Sequence, residues 1–291
     1  MFRINKSVFF ILLLLFLVAI VPASFAFDNQ TDAVSDDLTK GANDYYFDAN
    51  LDNDNGNGSI DNPYKYLKAD RIKANSNIYL AEGEYNLDNA KTIQNVNIYG
   101  TNASSTIIRY NGIAFTVSSS LTITNISLCN LTIQNNDKLT LNNVIFGYGH
   151  GSKPDSYGNN YGGAIYNPSS SGAITISNST FIENYAVYGG AIYMSGGSLN
   201  IMDSTFINNV ALNYGGAIAL EKSAKVTISR SKLINSKSSG DAGGAIYLRD
   251  SSLIADYINV TGSKATFGSA VTSLRSDVNL SSSVLSNNSA S

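Results

Sequence analysis

The feature that most constrains this chain is a short turn that keeps returning. "NYGGAIY" stands at 160–166, "VYGGAIY" at 187–193, "NYGGAIA" at 213–219, "DAGGAIY" at 241–247 and a degenerate "TFGSAVT" at 266–272. Between the turns runs a second pattern: "ITISNSTF" (174–181), "LNIMDSTF" (199–206), "VTISRSKL" (226–233), "LIADYINV" (253–260) and "VNLSSSVL" (278–285). Their starts are 25, 27, 27 and 25 residues apart. Upstream, "VNIYGTNA" (96–103), "LTITNISL" (121–128) and "LTLNNVIF" (139–146) extend the series with steps of 25, 18 and 35 residues. Eight copies at such a period describe a solenoid. No unit can bury its own apolar face, so each is stabilised by the neighbours it stacks on.

Each copy opens on an apolar residue, repeats it two positions later and closes with another seven after the first. The alternation Ile174–Thr175–Ile176 has the period of a strand with one face buried. "SNS", "MDS" and "SRS" then read as turn material, and Phe181, Phe206, Leu233, Val260 and Leu285 as a return to the interior. "GGAIY" supplies a second short strand. Helical spacing is absent, and Ser, Thr, Asn and Gly are poor helix formers. Strand–turn–strand units of this length stack into a parallel β-helix, coil upon coil at ~4.8 Å.

The paired glycines let the backbone turn sharply and approach the next coil with no Cβ in the way. No helix follows any pair, so they are not a phosphate cradle. Tyr161, Tyr188, Tyr214 and Phe267 are expected to stack rung over rung beside the turn, with Ala242 as a gap. Tyr166, Tyr193 and Tyr247 form a second broken column. We read both columns as lateral packing, against the alternative of a stacking platform for sugar rings. Asn184, Asn209 and Asn288 follow the closing apolar residue by three places and read as a polar ladder, with Ser236 and Ser263 substituting.

These motifs carry a resemblance. "GGAI" paired with Phe-x-x-Asn, here "FIEN" (181–184) and "FINN" (206–209), resembles the polymorphic outer membrane protein repeat. "YGGAIYN" (161–167) and "ITISNSTFIEN" (174–184) are similar to the wording of adhesin-like surface proteins of methanogenic archaea. The opening "YYFDANLDNDNGNGSIDNPYKYL" with "NIYLAEGEYN" resembles the capping segment of those proteins, so the resemblance covers roughly 45–291. It implies an all-β, single-stranded, right-handed parallel β-helix, a pectate-lyase-like solenoid with an N-terminal cap. It implies little about activity. The chain stops at "SNNSAS", part-way through a coil, which raises the expectation of a truncated fragment of a larger adhesin.

The ends bound the compartment. Arg3 and Lys6 precede an apolar run from Val8 to Val21, followed by "PASFA". That is the layout of a signal peptide over 1–26, cleaved after Ala26. The run of 14 residues is shorter than the ~20 that span a bilayer, and no second run follows, so the mature chain has no transmembrane segment. Without Arg3 and Lys6 there are 17 basic residues against 22 acids, a mildly acidic balance that argues against nucleic acid. Cys129 is alone, which excludes an intrachain disulfide. Nine Asn-x-Ser/Thr sequons are acceptors only in a glycosylating host. Residues 27–44 read as a flexible leader, 45–95 as the cap and first strands, and 96–291 as repeats ending mid-coil. Within the cap, 63–74 is expected to form a short helix over the edge of the first coil.

Three places could carry chemistry. Asp48, Asn50, Asp52 and Asp54 offer spaced oxygens for a weak calcium site, but Asn53 and Ser59 stand where an EF-hand loop needs Gly and Glu. Turn formation is the plainer reading, and no cofactor is expected. His150 lies in "GHG", which resembles a motif of polygalacturonases. Those enzymes cleave with clustered carboxylates, and between 96 and His150 Asp137 is the single acid. We therefore read the chain as not an enzyme, with a pectin-degrading lyase or hydrolase as the alternative. Lastly, the insertion 147–161 concentrates Tyr148, Tyr157 and Tyr161 beside His150, Lys153 and Asp155, a candidate ligand-binding loop suited to sugars. The plainer reading there is an irregular bulge. The resulting expectation is a secreted, cell-surface, adhesin-like protein whose partners are extracellular glycans or surface proteins of neighbouring cells.

Overall fold

The computed structural model describes residues 43–291, so the signal peptide and most of the leader lie outside the described residues. The pattern becomes geometry in the coil that follows Gly190. Ile192–Ser195 is its first side, Ser198–Met202 its second, Thr205–Ile207 its third and Val210–Tyr214 its fourth. Every side pairs in parallel with the same side of the coils above and below. Along the second side, Ile176, Ile201, Ile228, Ala255 and Leu280 stand in register. Parallel strands joined by crossovers of this kind wind right-handed. The fold is thus a right-handed parallel β-helix.

Inward residues are the predicted ones. Ile174, Ile176, Leu199, Ile201, Val226 and Ile228 are buried, and Phe146, Phe181 and Phe206 stack through the core with ring centres 5.7 and 4.7 Å apart. Leu285, on the last described rung, is 47% exposed and departs from the expectation.

The unequal steps have a structural cause. The second-side column runs through ten rungs among the described residues, two of them, Asp44–Phe47 and Ser76–Leu80, inside the predicted cap. The 18-residue step is a coil of three sides only: Ser120–Asn135 runs as one strand, bent at Asn125 and Asn130, both with φ of 58°. Regular coils add a fourth side, whose strands form a separate five-stranded sheet, and return through the glycine corner. There the first glycine has positive φ (63° at Gly189), and a Cβ on Gly190 would lie 2.1 Å from the Gly216 carbonyl oxygen of the next coil.

Between these sides the backbone takes further left-handed corners. Asn125, Asn143, Asn178, Asp203, Arg230, Tyr257 and Ser282 form one column of positive φ. Asn130, Tyr148, Glu183, Asn208, Asn235, Gly262 and Asn287 form the next. The asparagine-rich composition follows, since Asn tolerates this region better than most residues.

The cap differs from expectation in one respect. In place of a helix over 63–74 there is a single 3-10 turn, Ala69–Arg71. Side-chain ties prevent helical continuation: Arg71 pairs in two contacts (2.7 and 2.9 Å) with Asp54, Lys68 lies 3.3 Å from the same carboxylate, and Ala69 N–H donates to Asp88. The first strand's edge is covered by extended chain instead. Tyr46 N–H donates to the Gly58 carbonyl, while Tyr64 N–H and Asp48 N–H exchange bonds with Tyr46 and Tyr64 carbonyls. Asp44, assigned to the leader, already belongs to that strand.

Candidate functional site

The insertion leaves the rod where the fourth side of its coil would begin. Its base is tied down: Gly149 N–H donates to Asn184 Oδ1 (2.9 Å), Asn160 Nδ2 to the His150 carbonyl, Val187 N–H to Asn160 Oδ1 (2.7 Å), and Tyr161 N–H to Ser152 Oγ. Asp155 organises the tip. Its Oδ1 accepts the Tyr157 and Asn159 N–H groups, and its Oδ2 accepts the Tyr161 hydroxyl at 3.0 Å. Those backbone donors hold the Asp155 carboxyl below the usual carboxylate range. Only Lys153–Gly158 projects, with Tyr157 at 88% exposure.

The six residues proposed as a loop site are therefore divided. Asp155 and Tyr161 touch, and Tyr157 and Lys153 are exposed at the tip with Asp155. Tyr148 sits instead at a left-handed corner with φ of 60° and its ring half-buried, its phenol pushed up to about 12 by burial and by Glu183. His150 is exposed at the loop base. Asp137, the other residue of the enzymatic alternative, lies at a different corner, where its carbonyl accepts Ala173 N–H. The structure does not bring it to His150.

Tyr161 belongs equally to the aromatic columns. Its ring stacks on Tyr188 (5.2 Å) and Tyr166 (5.6 Å) and approaches Tyr193 (4.7 Å); Tyr188 stacks on Tyr214 (5.6 Å). Ala242 leaves its predicted gap, which Tyr247 fills by leaning to 4.5 Å from Tyr214. Three of the hydroxyls, those of Tyr161, Tyr188 and Tyr193, are paired within the protein. Tyr193 donates to Glu221 Oε2 (2.8 Å), whose other oxygen meets Arg249 (2.8 Å), and Tyr188 accepts from Asn213. Burial first, and Glu221 second, push the Tyr193 phenol far above its ordinary range. Rings that stack on one another, three of them with paired hydroxyls, fit lateral packing.

Asp54 is committed to Arg71, and Asp48 Oδ1 accepts Asn50 N–H as in an Asx turn. Among the described residues no group of three or more His, Cys, Asp or Glu side chains is placed to hold a metal ion.

Residues 178–195 and 203–221 match the family model of the Chlamydia polymorphic membrane protein (Chlamydia_PMP) repeat. Each match spans a third side, a fourth side, the glycine corner and a first side, one after the other in successive coils. No curated protein matches the chain. A similar solved structure is pectin methylesterase PemA from Erwinia chrysanthemi, at 10% identity and a TM-score of 0.48, covering 85% of this chain and 90% of that one. Among the described residues no helix is long and apolar enough to cross a membrane.

Proposed function

We propose that this is a non-catalytic, exported cell-surface protein of the adhesin-like type, whose β-helix presents a lateral surface to glycans or surface proteins of neighbouring cells. The observation that carries the reading is the repeat match, which falls on the coil itself and on its glycine corner. The chemistry of the lateral face supports it. Asp155, Glu221, Asp203 and Asp250 are paired with Tyr161, Tyr193 and Arg249, Arg230, and Arg275 respectively, so these carboxylates serve the rod. Rigid scaffolds that carry a protruding polar and aromatic tip suit recognition.

The test is surface labelling of producing cells, followed by binding of the purified chain to whole cells and to a glycan array. We expect labelling and binding in the wild type, and weaker binding once Lys153–Gly158 is replaced by a short glycine link. Melting should change little, since the ties at the base remain. Chelation of calcium should leave both unchanged. Release of unsaturated or reducing ends from acidic polysaccharides, lost in His150→Ala, would overturn the non-catalytic reading.

A further inference from the structure

A second row of tyrosines differs from the packed cluster. Tyr46, Tyr79 and Tyr99 occupy one outward position on three successive second-side rungs, with ring centres 4.8 and 5.4 Å apart and planes 14° and 21° from parallel. Their faces cover one another, so edges and hydroxyls point outward. Unlike Tyr161, Tyr188 and Tyr193, none of the three hydroxyls has a hydrogen-bond partner among the described residues. Beside them runs an amide ladder, in which Asn97 Nδ2 donates to Asn77 Oδ1 (2.9 Å) and Asn77 Nδ2 to Asp44 Oδ1 (2.8 Å).

The tyrosine row forms one wall of a cleft of about 420 Å³. Ile60, 51% exposed, and Pro63, from the cap segment that pairs along the edge of the Tyr46 strand, line it as well, as do Asp48 and Thr101. A cleft of that size holds a small ligand or part of a chain. Ring edges carry partial positive charge and phenolic hydroxyls donate, so the row favours oxygen-rich ligands. Ile60 and Pro63 add an apolar surface to the lining. Donors repeated at the strand spacing of ~4.8 Å select a ligand with oxygens at a similar repeat. A linear glycan has that form. The charged side chain that lines the cleft is the Asp48 carboxylate, which disfavours acidic polymers.

We propose that this cleft binds a short stretch of a neutral linear glycan lying along the rod axis, one sugar opposite each tyrosine. The inference rests on the surface-binding reading above and assigns it a site away from the loop. Burial pushes the Tyr79 phenol up to about 12. The donors therefore stay protonated through the neutral range, and binding should be level there.

Calorimetric titration of the full chain with linear hexaoses of β-1,4-linked glucose, of β-1,4-linked N-acetylglucosamine and of galacturonate tests it. A triple variant, Tyr46→Phe with Tyr79→Phe and Tyr99→Phe, keeps the ring stack and removes the donors. We expect at least one neutral hexaose to bind, the acidic one not to, and the triple variant to bind ~10-fold or more weakly at unchanged melting temperature. Ile60→Glu should weaken binding without touching the stack, which separates the cleft from any folding effect of the triple variant. Equal binding by the triple variant and wild type, or preference for galacturonate, overturns the proposal. If no hexaose binds while the chain still binds whole cells, the cleft is wrong and the surface reading stands; if neither binds, both fail.

Discussion

At the scale of single residues, each position in a coil answers to one of two demands, which face it lies on and which backbone region it must adopt. Ile201 is fully buried between Ile176 and Ile228, so Ile201→Asp would place an unpaired charge in a dry stack and should abolish folding. Lys222 is exposed, and Lys222→Glu should leave the melting temperature within error in the same circular dichroism experiment. Tyr257 tests the second demand. It is 64% exposed and sits in a left-handed corner at φ 52°, where a bulky L-residue is strained and four of its six column mates are Asn or Asp. Tyr257→Asn should therefore stabilise by roughly 0.5–1 kcal/mol in denaturant unfolding, in keeping with the cost of left-handed backbone. The two outcomes would separate packing from conformation at neighbouring corners.

At the scale of the elements, what joins coil to coil beyond the strand bonds is a pair of side-chain ladders. Asn184 Nδ2 donates to Phe146 O and Asn209 Oδ1, and Asn209 Nδ2 donates to Phe181 O, all at 3.0 Å. Asn288 resumes the series at Val260 O, but at Ser236 and Ser263 the ladder lapses, and both buried hydroxyls lack a partner. Ser236→Asn should restore bonds to Phe206 O and from Asn209 N–H, raising stability by about 1–2 kcal/mol for two net hydrogen bonds. An unchanged or lower denaturation midpoint would mean that the shorter side chain is there for space. The asparagine ladder was legible from its spacing. A second ladder was not: Ser179, Ser204 and Ser231 each accept the N–H one coil before (3.1 Å) and donate to the carbonyl two residues back (2.7 Å). In the sequence those serines look like ordinary turn residues, because a turn and a ladder draw on the same small polar side chains.

At the scale of the whole described unit, stability is a sum over rungs with no disulfide, since Cys129 is free and buried. Its pH limits follow from paired carboxylates and buried phenols. Asp54, bound to Arg71, has its carboxyl held well below the usual range, and Asp250 is lowered by Arg275. A depressed carboxylate contributes stability above its unfolded value of 3.8, and that contribution is lost as pH falls through the folded value. Tyr79 and Tyr85, both pushed up to about 12 chiefly by burial, behave oppositely. Their contribution is complete below 10.0 and disappears as pH rises towards about 12. Thermal melts across pH should give a level plateau between these limits, with the alkaline loss tracking tyrosinate absorbance. A transition in the neutral range would contradict this assignment.

The strand period, the inward positions, the glycine corner and the tyrosine columns beside it could all be read from the sequence alone, because each repeats at the spacing of the coil and a repeat exposes its own register. What only the tertiary structure decided is what occurs once. The cap wraps without a helix because Asp54 meets Arg71 across 17 residues, a pairing with no periodic signature. The loop's residues part company, Tyr148 to a corner and Asp155 to Tyr161, because backbone angle and hydrogen bonding place them individually. Tyr46, Tyr79 and Tyr99 come from "YYF", "IYL" and "IYG", 33 and 20 residues apart, and become a row with free hydroxyls only when three rungs stack. A local pattern can determine which face a side chain takes; which groups then find partners depends on chain brought together from far away.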